Sequence, residues 1–228
     1  MTSFDIRFPQ AEVSSDATVE DGVTIGAGTV VESHCSIYNG AEIGKRCTIR
    51  SGARIGTLPI DFRVSSKGIE RSTNSQPVII GDNCDIGHNS VIQNGVERNT
   101  TIGEKTLVNN LCNIGHDVQI GPKSTVGLSA SISGHTTIGT RAEISPGVTI
   151  LNRVTLGADV TVGIGSLVLH DFGDGSSIAG RPAVTLSQYK KERKLLKEAI
   201  FGEYTPSKIS TSRNKYTKLL KRIIRRFI

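Results

Sequence analysis

Residues 102–168 read IGEKTLVNNLCNIGHDVQIGPKSTVGLSASISGHTTIGTRAEISPGVTILNRVTLGADVTVGIGSLV, and an aliphatic residue stands at every sixth place from Ile102 to Val168. The same frame runs from Val13 to Ile55, returns at Ile80, Ile86 and Ile92, and slips by four residues before Ile102, giving 23 hexads in all. Two places before the aliphatic residue comes a small or β-branched one, among them Ala11, Cys35, Ala41, Cys47, Ala53, Cys84, Cys112, Ala130, Ala142 and Val148. A period of six is not the 3.6 of an amphipathic helix. Side chains two apart on a strand share a face, so the aliphatic and small residues both enter one narrow core. The chain is therefore expected to coil as an all-β parallel β-helix. In 12 of the 23 hexads glycine follows the aliphatic residue directly. We read that glycine as a corner residue that reaches positive φ at little steric cost.

Composition agrees with a thin core. Aromatic residues are 4% of the 228, tryptophan is absent and glycine supplies 25. No apolar run approaches the roughly 20 residues of a spanning helix. The opening MTSFDIRFPQ lacks a basic region followed by an apolar stretch, so a cytoplasmic location is expected. All four cysteines fall on the small inward place and none forms a CxxC pair, so they read as small hydrophobes. The net charge of +6 is uneven: residues 1–183 carry 14 basic and 18 acidic side chains, residues 184–228 carry 13 and 3. A body without a basic stripe argues against nucleic acid as a partner.

Two interruptions break the frame. Residues 57–77, TLPIDFRVSSKGIERSTNSQP, must project as a loop, and residues 93–101 hold the four-residue slip. In the run that follows, hexad phase puts His116 and Asp117 on the outside of a corner. If a coil is 18 residues, Gly134 lies beside His116 on the next layer and His135 beside Asp117. An imidazole, a carboxylate and a glycine N–H are the parts that acyl transfer uses: a base for the incoming nucleophile and a donor for the developing oxyanion.

The repeat resembles that of the hexapeptide-repeat acyltransferases, whose β-helix is left-handed with three hexads per coil. That resemblance implies seven to eight coils here and a homotrimer with active sites between subunits. NNLCNIGHDVQIG, residues 109–121, is similar to the active-site segment of the lipid A acyltransferases and of bacterial nucleotide-amino-sugar N-acetyltransferases. It implies His116 as general base and Asp117 as its orienting acid, with Asn110, Asn113 and His135 toward the sugar substrate. SISGH, residues 131–135, resembles the next-coil segment whose glycine amide, here Gly134, receives the thioester carbonyl. GSSIAGRPA, residues 175–183, resembles the closing strand that borders the coenzyme groove, which implies Gly134 and Arg181 toward acetyl-CoA. The chain has Asn113 where the glucosamine acyltransferase of lipid A synthesis has a second histidine. Because its repeats begin near residue 11, the substrate is expected to be held without a separate sugar-binding domain before them. The γ-type carbonic anhydrases share this fold but need a histidine pair five residues apart; Gly121 stands five after His116, so no metal is expected. His34, His88 and His170 read as solvated corner residues.

The function expected from these residues is acetyl transfer from acetyl-CoA to the amino group of a nucleotide-linked amino sugar, in surface polysaccharide or lipopolysaccharide synthesis. The alternatives are a lipid A-type sugar acyltransferase fed by acyl carrier protein, and a catalytically silent scaffold. Residues 1–183 form the expected β-helix domain and 184–228 a helical tail. Within the tail, 184–201 read as one helix. KYTKLLKRIIRRFI, 215–228, sets Tyr216, Leu219, Leu220, Ile223, Ile224, Phe227 and Ile228 on one face and six basic residues on the other. That pattern suits either packing on the chain's own trimer or peripheral contact with the inner membrane surface.

Overall fold

The structure is a computed structural model that describes residues 2–3, 7–59, 62–66, 68–71 and 73–201. The basic segment 215–228 lies outside the described residues. Residues Met1–Thr185 make one compact unit, and the helix Leu186–Phe201 belongs to a second. No described helix is long and apolar enough to cross a membrane.

The first unit is a parallel β-helix with three faces, which we label A, B and C in the order the chain meets them. Face A runs from Glu12–Ser14 to Ser177–Gly180, face B from Thr18–Val19 to Leu167–Val168, and face C from Thr24–Ile25 to Thr155–Leu156. These make eight coils, the last closed on face C by a bridge from Leu156 to Phe172, and Ser177–Gly180 adds a ninth layer on face A. The two ends of face A are finished by antiparallel strands, Thr2–Ser3 and Ala183–Thr185. The helix expected from residue 184 begins at Leu186, because Ala183–Thr185 pairs with Ser177–Gly180.

The register confirms the 18-residue coil. Ile114 pairs with Ile132 and Ile132 with Ile150. The aliphatic residues are stacked inside, nearly all of them under 4% exposed. The interruptions show as offsets in the same ladder: Ile55 pairs with Ile92, and Ile92 with Ile114. Both insertions leave the helix between face B and face C. The longer one carries a hairpin of Phe62–Ser65 against Gly68–Arg71. The small inward place does more than fill space. Its hydroxyls and thiols donate to corner carbonyls of the next coil, as Ser90 does to Asn109 at 2.7 Å and Cys84 to Gly103 at 3.1 Å. The four cysteines are free and buried.

The corners correct our reading of glycine. Gly121, which follows the aliphatic Ile120, has no positive φ. A Cβ there would lie 2.6 Å from the backbone of Gly139 and Thr140 on the next coil, so the residue is glycine because two backbones approach closely. The left-handed conformation falls two places later and is held mostly by other residues, among them Asn89, Leu111, Asp117, Lys123 and His135, with φ between 55° and 60°. Tight coil-to-coil bonding outweighs the ordinary penalty of about 1–2 kcal/mol for such residues. Gly121→Ala should therefore destabilise the protein by about 1–3 kcal/mol through overpacking. Gly147→Asn, at φ 67° with its nearest neighbour 3.8 Å from a Cβ, should stay within about 1 kcal/mol. Denaturant titration of the two variants checks the contrast.

Candidate active site at the B/C corner

His116 and Asp117 leave the strand Asn113–Ile114 at the corner between faces B and C. The next coil supplies Gly134 and His135, and the His135 N–H donates to the His116 carbonyl at 2.9 Å. The layers stack as the 18-residue spacing requires. A Cβ on Gly134 would lie 2.6 Å from His116 Nε2, so the imidazole rests over the glycine and any side chain there would displace it. Among the described residues, the Gly134 N–H meets no acceptor.

Asp117 does not point outward as hexad phase implies. Its side chain is fully buried. The four-residue slip is the cause: residues 94–99 fold across this corner on the preceding coil and close over the carboxylate. Asp117 Oδ1 accepts from the backbone N–H groups of Glu97 at 2.8 Å and Arg98 at 2.7 Å, and Val96 N–H lies 3.1 Å from the same oxygen. Asp117 Oδ2 accepts from His116 Nδ1 at 2.7 Å. Burial alone would push the Asp117 carboxyl up, but the hydrogen bonds from His116 and from the three peptide groups outweigh it and hold the group below the usual carboxylate range. An ionised carboxylate only accepts, so the proton between them sits on His116 Nδ1. Nε2 is then the basic nitrogen, and it is the one over Gly134.

His135 joins this cluster. Its ring meets that of His116 edge-on at 5.0 Å, and its Nε2 lies 3.7 Å from Asp117 Oδ2. His116, Asp117 and His135 together have the ligand types of a metal site. The geometry fits a hydrogen-bonded His116–Asp117 pair, with His135 packed beside it, better. At 2.7 Å, His116 Nδ1 and Asp117 Oδ2 are closer than two ligands of one tetrahedral zinc, which bond lengths of about 2.0–2.1 Å keep roughly 3.3 Å apart.

Three other residues named from the sequence lie elsewhere. Asn113 is exposed on face B, one place before the inward Ile114. Asn110 stands at the opposite corner, between faces A and B, where its Oδ1 accepts from the His88 N–H at 2.9 Å. It borders a cleft of about 280 Å3 with Arg50, Asp85, His88 and Leu107. Arg181 is on that A/B corner too, its Nε donating to the Gly165 carbonyl at 2.6 Å. Within one chain, neither Asn110 nor Arg181 reaches His116. His34 and His170 are exposed at corners, as expected, and His88 is half-buried 4.0 Å from Glu32.

Sequence reasoning missed what the slip contributes. Glu97 and Arg98 are exposed residues beside the cluster, Glu97 Oε2 lying 3.9 Å from His135 Nδ1. Thr100 Oγ1 accepts from the Asp117 N–H at 3.0 Å. The available signal was positional: both insertions occur in the hexad that becomes the corner of His116, on the two coils before it. The slip is bound in turn to the longer insertion, through Gln76 paired with Gly95 and Asn94 Nδ2 donating to Ser75 at 2.9 Å.

Comparisons with known proteins agree with this architecture. The bacterial transferase hexapeptide family (six repeats) matches residues 22–57, and the hexapeptide repeat of succinyl-transferase matches residues 77–108. Among curated relatives, UDP-3-O-acylglucosamine N-acyltransferase 2 of Legionella pneumophila strain Paris is 41% identical over 139 residues, 61% of this chain and 40% of that protein. The protein of the same name from strain Lens is 34% identical over 145 residues, 64% of this chain and 42% of its own length. The chain thus spans well under half the length of these relatives. A UDP-N-acetylglucosamine acyltransferase structure from Francisella novicida superposes with a TM-score of 0.65 at 24% identity, covering 81% of this chain and 72% of that one. Its counterpart from Campylobacter jejuni gives 0.62 at 20%, covering 81% and 83%. At these identities the structures speak for the fold. The chain is a hexapeptide-repeat β-helix protein, and its resemblance to the hexapeptide-repeat acyltransferases is borne out by the relatives it matches.

Proposed function

We propose that this chain transfers an acyl group from a thioester to the amino group of a nucleotide-linked amino sugar, with His116 as general base. One observation carries the reading: an imidazole whose Nδ1 is bound to a buried carboxylate presents Nε2 directly over a glycine with an unused N–H. In the step, the sugar nitrogen attacks the thioester carbon and its proton passes to His116 Nε2. The carbonyl oxygen, becoming negative, is held by the Gly134 N–H. Collapse breaks the carbon–sulfur bond, and His116 returns the proton to the leaving thiolate. Asp117 keeps the tautomer and steadies the imidazolium without itself taking the proton.

The curated relatives, named as N-acyltransferases of a UDP-linked glucosamine, support nitrogen as the acceptor atom and a UDP-sugar as substrate. Acetyl-CoA is the donor first read from the closing segment. A longer acyl chain is the second reading, and Leu151 favours it: this side chain is 45% exposed at the same corner, one coil beyond Ser133. We also take the active unit to be a homotrimer, in which the A/B corner of one copy brings Asn110 and Arg181 toward the His116 of another. A panel of UDP-amino sugars offered with acetyl-CoA or with acyl carrier protein thioesters, analysed by mass spectrometry, tests the reading. An N-acylated UDP-sugar supports it, and no product with any donor contradicts it.

His116→Ala should lose about 10²–10⁴ in kcat while the fold persists, the usual worth of a general base. Near-normal turnover by the folded variant would contradict the assignment. Asp117→Asn should reduce kcat by less. It should also be less stable at neutral pH, because Asp117 binds its proton more weakly when folded. That advantage of the wild type is complete above the ordinary carboxylate pKa and disappears as pH falls through the lower folded value. Gly134→Ala should be nearly inactive with little change in melting temperature, since its methyl group meets the far end of the His116 ring rather than backbone. Steady-state kinetics beside thermal melts read out all three variants.

A further inference from the structure

The distance between the base and the oxyanion donor is a distance between two successive coils, and one exposed side chain outside the repeat spans both. Arg98 lies in the slip segment. Its Nε donates to the Asp117 carbonyl at 2.9 Å, and its Nη2 donates to the His135 carbonyl and to Thr137 Oγ1, each at 3.3 Å. The first carbonyl belongs to the residue after His116 and the second to the residue after Gly134. The corners are also joined by the His135 N–H to the His116 carbonyl, and the coils beside them by the Gly115 N–H to Ile132 and the Gln119 N–H to Thr136.

We propose that Arg98 is a positioning residue: its guanidinium fixes the gap between His116 Nε2 and the Gly134 N–H by bridging the two corners that carry them. The proposal rests on the acyl-transfer reading for its effect on rate, but the bridge itself stands on the three hydrogen bonds. Arginine suits the task because its planar fork sets the spacing of its donors, whereas a lysine ammonium is a single point on a flexible stem. The fold does not depend on the side chain. Asp117 is capped by the backbone N–H groups of residues 96–98, which any substitution other than proline keeps. Two positive-φ residues, Asp117 and His135, flank the reacting groups. A bridge between their carbonyls restrains the 117–118 and 135–136 peptides, and so the spacing of the two corners that carry His116 and Gly134.

Two measurements on the full chain test this. Arg98→Met and Arg98→Lys should each lower kcat by about 10–100-fold, since misplacement by about 1 Å can cost that much. KM for the sugar nucleotide should change less than about threefold, because the guanidinium restrains the corner rather than the substrate. Methylguanidinium in the buffer should restore part of the kcat of Arg98→Met and none of that of His116→Ala. Hydrogen–deuterium exchange should accelerate in residues 131–137 of either variant, with the core strands of faces A and C unchanged. Unchanged exchange and kcat would overturn the proposal, and a loss confined to KM would make Arg98 a substrate contact instead. Exchange broadened over the whole helix would assign it a general structural role and overturn it equally. Should the wild type transfer no acyl group from any donor, the acyl-transfer reading fails, while the exchange result still decides whether Arg98 holds the corner.

Discussion

A coil of eighteen residues places every side chain directly over its counterpart one turn earlier, about 4.8 Å away. Everything else in this molecule depends on that constraint. It lets a narrow core of one aliphatic residue per face be filled mostly without aromatic side chains, Phe8 and Phe172 lying near its two ends, and it lets corner backbones approach so closely that a Cβ on Gly121 would clash. It also brings together, at the proposed site, residues that are distant in sequence but equivalent in phase. His116 and Gly134 meet because they are eighteen apart, and the pairing of Ile114 with Ile132 holds them there.

The site arises where that regularity is broken on the preceding turns. Two insertions leave the B/C corner one above the other, and the nearer one folds against the next coil. Its peptide N–H groups surround the Asp117 carboxylate, keeping a buried charge ionised in a protein with little polar interior. The charge fixes the proton on His116 Nδ1, and the free Nε2 follows from that. The longer insertion is anchored to the same segment through Gln76 and Asn94. It presents Phe62 and Ile69, 52% and 68% exposed, on its hairpin. Regular coils thus supply the spacing, and irregular ones supply the electrostatics.

Periodicity made the fold legible, along with the pairing of His116 with Gly134 and of Asp117 with His135, because an interior repeat is written in residue type. Asp117 was misread as outward-facing because hexad phase describes a corner open to solvent, and the segment that covers it comes from a slip that phase arithmetic discards. Arg98 escaped notice for the same reason. The glycine that follows many of the aliphatic residues was assigned a dihedral role. At most of them, as at Gly121, close approach between coils explains it, and Gly56 is one that does hold a positive φ. That distinction is invisible along a single chain and appears only when two coils are laid together. Asn110 and Arg181 show the converse. Their likeness to a motif carried no information about which corner they occupy.

The central claim is that thioester and amine meet between His116 Nε2 and the Gly134 N–H. A crystal structure with a UDP-amino sugar and a non-reactive thioester analogue tests it most directly. The account predicts the analogue's carbonyl oxygen about 3 Å from the Gly134 nitrogen, and the sugar nitrogen within about 3.2 Å of His116 Nε2. Both ligands bound instead in the A/B cleft of Arg50, Asp85, His88 and Asn110, with the B/C corner vacant, would contradict it.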